Sequence, residues 1–335
     1  MNIIVPMAGR GKRMRPQSLT TPKPMIPVAG KPIVQWLVEK LCTMTQNPIE
    51  NIVFVIKDDF GQEIEETLHR IAKNLGANPV IVYQENALGT AHAVFCAKNY
   101  LNGPTIVGFA DTIFDADFTI SPQTDGIIWV KEVEDPSAFG VVKMDERGAI
   151  NEFVEKPTEF VSNLAIIGVY YFKKGEELKQ EIQRLLDQNI KEKGEFQITN
   201  ALDNLKNKGW NFLPGKVKEW LDCGNKNATV ASNTRVLELG MVKHQKRDGL
   251  SLVNSKIIEP VFIGSNVTLK NSKIGPYVSI GNGSSIEHCE IQKSIVQEDS
   301  KVLHTHLRNS MVGNHVYYDG SKKELNIGDF TTRGK

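Results

Sequence analysis

Val261-Phe262-Ile263-Gly264-Ser265-Asn266-Val267-Thr268-Leu269-Lys270-Asn271-Ser272-Lys273-Ile274-Gly275-Pro276-Tyr277-Val278-Ser279-Ile280 carries aliphatic residues at a step of six that slips in places to five. Val261 and Val267 form one such series. Ile263, Leu269, Ile274, Ile280, Ile286 and Ile291 form another. Ile-Gly pairs stand at Ile263-Gly264, Ile274-Gly275 and Ile280-Gly281, and Val312-Gly313 continues the theme. An ordinary β-sandwich would alternate with period two. A six-residue period instead predicts a parallel β-helix over residues 250–320, with the aliphatic side chains stacked inside and the glycines relieving the corners. The charged stretch 321–335 reads as a cap or a disordered tail. Exposed coil ends and flat faces favour self-association, so a homo-oligomer is expected.

Outward from the repeat, 241–249 is a polar, basic link and 1–240 has another texture. Ile3–Val5, Ile52–Ile56, Val80–Tyr83 and Ile106–Phe109 are apolar runs of strand length. Between them lie helical spacings over Pro32–Leu41 and Ile64–Leu75 and an Ala-rich stretch, Thr90–Tyr100. Such alternation predicts an α/β domain built on a parallel sheet covered on both faces. From Gly126 the pattern turns antiparallel. Phe139–Met144 and Ala149–Val154 flank the turn Asp145-Glu146-Arg147-Gly148, and Leu164–Phe172 is a further strand. Helices are expected over Glu176–Leu186, Ile198–Leu205 and Ala228–Leu239.

Forty basic residues against thirty-nine acidic ones leave a formal net charge of +1. That balance gives no global reason to bind nucleic acid or an anionic membrane. The N-terminus has no basic leader and no apolar run reaches ~18 residues, so neither a signal peptide nor a membrane span is expected. Cys42, Cys96, Cys223 and Cys289 form no C-x-x-C pair and read as free thiols in a reducing cytoplasm.

Ala8-Gly9-Arg10-Gly11-Lys12-Arg13-Met14-Arg15-Pro16 follows the first strand. Its glycines let backbone N–H groups approach phosphate oxygens, although a basic glycine turn also serves as plain surface. Met14 stands where a dinucleotide fingerprint needs its third glycine. Arg13 stands where a P-loop needs Ser or Thr. Pro22-Lys23-Pro24-Met25-Ile26-Pro27-Val28-Ala29-Gly30-Lys31-Pro32 comes next. Asp111 and Asp222 each follow an apolar segment, where an aspartate serves either as a cation ligand or as a cap or turn residue.

Together these stretches read G-x-G-x-R-[LM]-x-P, then P-K-P-[LM]-x-P-V-x-G-K-P, and resemble the signature of the sugar nucleotidyltransferases. Later landmarks keep the family's order: Gln84, Leu88-Gly89-Thr90-Ala91, Asp111, Phe139-Gly140-Val141-Val142, Glu155-Lys156-Pro157, Gly194-Glu195 and Trp220-Leu221-Asp222. With the β-helix appended, the chain most resembles the long form of glucose-1-phosphate thymidylyltransferase. The resemblance implies a Rossmann-like nucleotide-diphospho-sugar transferase domain followed by a left-handed β-helix.

It also implies attack of a sugar 1-phosphate on the α-phosphorus of a nucleoside triphosphate, with Mg2+ held by Asp111 and Asp222. Asp111 stands in Ala110-Asp111-Thr112 where the family often has Gly-Asp-Asn, which leaves the carboxylate but changes its neighbours. Arg13 is implied at the β- and γ-phosphates, Lys23 at the reacting phosphate and Lys156 at the sugar phosphate. Ala8, Gly9, Gly11, Gln84 and Gly89 are implied around the nucleotide, with Gln84 offering both donor and acceptor to a base edge. Gly140 and Glu155 are implied at the sugar. Glu195 fits the sugar site or a bare surface equally. Lys12 and Arg15 read as solvated surface charges.

Three alternatives stand beside this. UTP or GTP could replace dTTP. The β-helix could be an acyltransferase using His288, His304, His306 or His315. Or the chain could be a non-catalytic regulatory homologue, against which the retained Arg13, Lys23, Asp111, Lys156 and Asp222 argue.

Overall fold

The run of Ile3, Ile4 and Val5 is apolar at every position because both faces of its strand are covered. The structure, a computed structural model, describes residues 1–9, 11–116, 120, 124–242 and 247–321. Strand β1 (Asn2–Pro6) lies between β2 (Asn51–Ile56) and β4 (Thr105–Gly108), parallel to both, and β2 continues to β3 (Asn78–Tyr83). Successive residues serve two separate cores. Ile3, Val5, Ile52, Phe54, Ile56 and Ile106 pack on Val34, Leu37 and Leu41 of α1 (Ile33–Thr43) and on Leu68 and Ile71 of α2 (Gln62–Asn74). Ile4, Val53, Val55 and Val107 pack on Ala91 and Val94 of α3 (Thr90–Cys96) and on Leu178 and Ile182 of α4 (Gly175–Asp187). Each such side chain, fully withdrawn from water, contributes about 1.5–3 kcal/mol before entropy is counted.

Two local expectations shift. Pro32 sits just before α1 rather than in its first turn, where its missing N–H is equally harmless. The expected helix to Tyr100 stops at Cys96, because the Ala97 N–H turns to Val94 O and a 3-10 turn, Lys98–Tyr100, follows.

After β4 the chain makes β5 (Thr112–Asp115), which leaves the main sheet. β6 (Gly126–Glu132), β7 (Gly140–Met144), β8 (Ile150–Glu155) and β9 (Leu164–Phe172) return to it. β9 runs antiparallel to β4, β6 and β7, and β8 pairs with β7 around the expected turn. The antiparallel strands therefore extend the parallel sheet, giving the order β8-β7-β9-β4-β1-β2-β3. The register of β9 on β6 slips between Ile166 and Tyr170, where Gly168 takes φ 82° and accepts the Phe109 N–H at 2.9 Å. α5 (Ile198–Asn207) follows, then β10 (Phe212–Lys216), parallel to β6. Last comes β11 (Glu219–Asp222), which pairs antiparallel with β5.

Met1–Ile26 with Lys31–Asn225 makes one compact unit, and Pro27–Gly30 with the chain from Lys226 makes the other. The division falls before the expected boundary at 240. The reason is α6 (Lys226–Glu238), which packs on the strands Val278–Ile280 and Ser294–Val296 of the second unit. Asn233, wholly buried, accepts the Ala29 N–H at 2.9 Å and the Ser279 hydroxyl at 2.6 Å.

Within this unit, the strands from Ser251 to Asp319 form the left-handed parallel β-helix. Ser251–Val253, Thr268–Lys270, Ser285–Glu287, Lys301–Leu303 and Tyr317–Asp319 stack in one sheet. Two further sheets of four strands complete the coils. Ladder contacts link residues 17 apart in the early coils and 16 apart in the later ones, the trace of steps of six and five. Ile263, Leu269, Ile274, Ile280, Ile286 and Ile291 are all wholly buried. The expectation that glycines relieve the corners holds at Gly275, φ 104°, where a Cβ would meet Ile258 O, but other residues serve elsewhere. Asn254, Asn271, His288 and His304 take the left-handed turns, with φ between 47° and 52°. Gly281 is required for space instead: a Cβ there would lie 2.7 Å from the backbone of Gln297 and Glu298. His288 and His304 stack at 5.1 Å between ring centres, and both are exposed. All four cysteines are free, and burial pushes the Cys42 thiol up to about 11. No helix among the described residues is long and apolar enough to cross a membrane. The expected tail, apart from Ser321, and positions 243–246 of the expected linker lie outside the described residues.

Candidate active site

The glycine turn is shaped from within. Met14 is wholly buried, and its N–H closes on Gly11 O at 2.9 Å, so the 3-10 turn Lys12–Met14 is pinned while Lys12 and Arg13 stay exposed. Gly11 has φ 56°, and a Cβ on it would sit 3.0 Å from the Cβ of Lys23. The missing atom lets the turn and the Lys23 segment close together without either giving way. Lys23 opens a short 3-10 turn between Pro22 and Pro24. It is 8 % exposed, and its Nζ donates to Asp111 Oδ2 at 2.9 Å.

Asp111 and Asp222 meet through the pair β5 and β11. Asp222 stands opposite Thr112, and the Cys223 N–H donates to Asp111 O at 3.1 Å. The Asp222 carboxylate accepts the Gly224 N–H at 2.9 Å. Burial pushes the Asp222 carboxyl up, and the charge of Asp111 pushes it further. Lys23, the Gly224 N–H and Arg13 act against this. A Cβ on Gly224 would lie 2.9 Å from Asp222 Oδ2 and 3.4 Å from Arg13 Nη2, which places that guanidinium over the same spot. A carboxylate whose charge is made costlier by a second one beside it is what a hard divalent cation relieves. The donors are all oxygen, and no group of three or more His, Cys, Asp or Glu among the described residues is placed to hold a metal ion. This set fits magnesium, which takes one or two carboxylates and completes its shell with phosphates and water.

A cavity of about 410 Å³ opens beside this cluster. Ala8, Gly9, Gly11, Arg13, Lys23, Gln84, Gly89, Asp111 and Glu195 all line it. Gln84 is buried to 6 %, and its amide lies 3.0 Å from His92 Nδ1. Burial lowers the His92 pKa, which favours the neutral ring that can accept from the Gln84 amide. At Gly89, φ 123°, a Cβ would come within 2.4 Å of Phe196 O. The Phe196 N–H donates to Leu88 O, and the Ala91 N–H to Phe196 O, both at 2.9 Å. This close backbone crossing carries Glu195 into the cavity wall.

A sequence model of the family described as Nucleotidyl transferase matches residues 2–238. The chain belongs to the nucleotidyl transferase family. Glucose-1-phosphate thymidylyltransferase of Streptomyces antibioticus is 28% identical over 94% of this chain and 93% of its own length. The low-salt glycan biosynthesis nucleotidyltransferase Agl11 of Haloferax volcanii is 30% identical over 88% of this chain and 87% of its own. The bifunctional protein GlmU of Methanococcus vannielii is 28% identical over 93% and 78% respectively. Among solved structures, a UDP-glucose pyrophosphorylase complexed with UDP-glucose shares the fold at TM-score 0.57 and 24% identity, over 71% of this chain and 98% of its own. This nucleotidyl transferase is thus an enzyme of the group that makes nucleotide sugars.

Gly140, Glu155 and Lys156 do not line the cavity; they lie at the sheet edge formed by β7 and β8. Glu155 faces Gly140 across the pair, and a Cβ on Gly140 would lie 3.2 Å from Glu155 Oε2. Burial pushes the Glu155 carboxyl up, Lys156 draws it down and Glu192 pushes it up. Lys156 takes φ 44°, donates its N–H to Phe139 O at 3.1 Å and holds its Nζ 3.6 Å from Glu155 Oε1. Two features connect this edge to the carboxylate pair. Phe139 packs edge-on against Trp220, ring centres 4.9 Å apart, two residues before Asp222. Tyr170, wholly enclosed, has its phenol pushed up by burial and then by the charges of Glu155 and Asp111.

The sequence reading missed several residues. Lys12, read as a surface charge, also lines the cavity. Arg15 instead lines a neighbouring recess with Lys57 and Asp59. Thr199, at 4 % exposure, donates to Glu155 at 3.4 Å. Gly224 had a usable signal in its position two residues after Asp222. Tyr170 had none, being one aromatic in an apolar strand.

Proposed function

We propose that this nucleotidyl transferase joins glucose 1-phosphate to dTTP, giving dTDP-glucose and pyrophosphate, with Mg2+ at Asp111 and Asp222. The observation that carries the reaction type is the meeting of those two carboxylates with Lys23 and Arg13 beside one cavity. The choice of substrates is supported by likeness to the Streptomyces antibioticus thymidylyltransferase along almost the whole of both chains. A phosphate oxygen of the sugar phosphate attacks the α-phosphorus, the bond to the bridging α–β oxygen breaks, and pyrophosphate carries the electron pair away. All the partners are anions, so fixed positive charge and alignment supply most of the rate. Bound magnesium supplies positive charge to the phosphate oxygens.

In this reading Arg13 faces the β- and γ-phosphates and stabilises charge on the leaving group through its planar fork. Lys23 shares the charge of the reacting phosphates. Lys156 takes the sugar phosphate, and Glu155 accepts from sugar hydroxyls beside the open backbone of Gly140. Gln84 reads the base edge, and Ala8, Gly9, Gly11 and Gly89 give backbone access. Glu195 reaches the sugar from the opposite strand crossing.

A matrix of dTTP, UTP, GTP and ATP against glucose, mannose and N-acetylglucosamine 1-phosphates, scored by pyrophosphate release with and without Mg2+, tests the proposal. Turnover highest with dTTP and glucose 1-phosphate is expected. Preference for UTP or GTP would overturn the substrate assignment, and no turnover with any pair would overturn the catalytic one. The reading extends to self-association through the β-helix, whose outer coils expose Leu252, Val253, Tyr317 and Tyr318. Light scattering at micromolar concentration would contradict it by giving the monomer mass.

A further inference from the structure

Lys156 holds a backbone conformation that L-residues other than Asn, Asp and His seldom adopt, φ 44°, immediately after β8 leaves the sheet edge. Such a turn persists only where its surroundings over-determine it. One restraint is the Lys156 N–H bond to Phe139 O. The other comes from a distant stretch of chain. Lys193 Nζ donates to Lys156 O at 2.6 Å and to Glu155 O at 3.1 Å, so one ammonium bridges two consecutive carbonyls across this turn.

Lys193 is itself locally fixed. It takes φ 51°, and Gly194 follows at φ 85°. Glu192 and Glu195 exchange backbone bonds around it, at 2.9 and 3.1 Å. One residue beyond that turn, Phe196 locks into the Leu88–Ala91 segment, and Glu195 lines the cavity. The two lysines thus divide their work. The Lys156 side chain is 50% exposed and its ammonium lies 3.6 Å from Glu155 Oε1, whereas the Lys193 ammonium is committed to carbonyl oxygens.

We propose that Lys193 is a positioning residue. It clamps the backbone of Glu155 and Lys156 and thereby sets the Lys156 ammonium for the sugar phosphate, joining that turn to the loop that carries Glu195. The proposal rests on the reading of Lys156 as the sugar-phosphate lysine. Lys193 touches no reacting atom, and the proposal assigns its effect to the placement of the Lys156 ammonium.

The test uses the full chain with dTTP and glucose 1-phosphate, each varied in turn, in Lys193→Met, Lys193→Arg, Lys156→Met and the Lys156→Met/Lys193→Met double variant. Methionine keeps the aliphatic stem and removes the donor. Loss of two charge-assisted bonds on a left-handed turn should raise KM for glucose 1-phosphate about tenfold in Lys193→Met, with KM for dTTP unchanged. Lys193→Arg should recover most of the loss. The double variant should be no worse than Lys156→Met. Amide hydrogen exchange in the peptide spanning Glu152–Pro157 should quicken in Lys193→Met, a readout independent of turnover.

Unchanged exchange with unchanged KM in Lys193→Met would overturn the clamp. Multiplying losses in the double variant would overturn action through Lys156. Normal KM for glucose 1-phosphate in Lys156→Met, with faster exchange in Lys193→Met, would overturn the sugar-phosphate role of Lys156 and leave the clamp standing.

Discussion

The two sides of the candidate site are held by different means. On the glycine-turn side, side-chain charges hold one another: Lys23 on Asp111, Asp222 against Asp111, and Arg13 and the Gly224 N–H countering the repulsion. On the sheet-edge side, backbone carries the order. Lys156 is left-handed, its carbonyl and that of Glu155 are clamped, and its own ammonium stays half-exposed. On a charge-held side, losing Lys23 or Arg13 leaves the carboxylates uncompensated, whereas losing one carboxylate relieves the repulsion between the two. A backbone-held side keeps its shape when a side chain is cut and loses only the contact that side chain would have made.

The comparison can be broken from its largest expected effect downward. Asp222→Asn should cut pyrophosphate release by a factor on the order of 10²–10³ while leaving melting temperature equal or higher, since a partly buried like-charge contact is relieved. Turnover near that of the parent would remove the carboxylate pair from the mechanism. Lys156→Ala should raise KM for the sugar phosphate roughly tenfold to a hundredfold, the range of one charged hydrogen bond, with kcat changed less. An equal rise in the nucleotide KM would show that the two sides are not separate.

The same small change made on each side sharpens the contrast. Gly224→Ala brings a Cβ to 2.9–3.0 Å from the Asp222 carboxylate oxygens, which its own N–H holds in place. A loss of about tenfold in kcat, some 1.4 kcal/mol, is expected. Gly140→Ala meets Glu155 Oε2 at 3.2 Å, and that flexible end can yield, so KM should shift about twofold or less. Steady-state kinetics on the pair decides whether Gly224 is the less tolerant of the two.

The smallest effect is in pH. The Glu155 carboxyl is pushed above its ordinary value, chiefly by burial. If its ionised form accepts from the sugar, kcat/KM for glucose 1-phosphate falls as pH drops through that raised value. The acid limb then lies above the ordinary glutamate range. Glu155→Gln should flatten this limb. A limb that survives the substitution belongs to another group.

How much of this was legible beforehand follows from the range of the interactions. The β-helix could be read because each coil repeats a local rule: an aliphatic residue returns to the interior every five or six positions, and Ile263 to Ile291 obey it. The glycine turn and Lys23 could be read because their motifs lie within one short segment. β5 and β11 escaped notice, because each is only four residues long and gains its strand character from a partner about a hundred positions away. Lys193 escaped for a related reason, since a lysine that bonds carbonyls looks in sequence like any solvated charge.

By itself, then, the sequence determined the parallel sheet with its two covered faces, the stacked coils, and the identity of the charged residues available for phosphate chemistry. These follow from periodicity and residue type, which are properties of neighbours along the chain. Only the tertiary structure decided that Asp222 lies opposite Thr112 and so beside Asp111, that α6 packs with the coils, and that Lys193 holds the turn of Lys156. Strand register and the reach of a side chain onto a remote carbonyl are fixed when distant segments are packed together, and no local pattern encodes them.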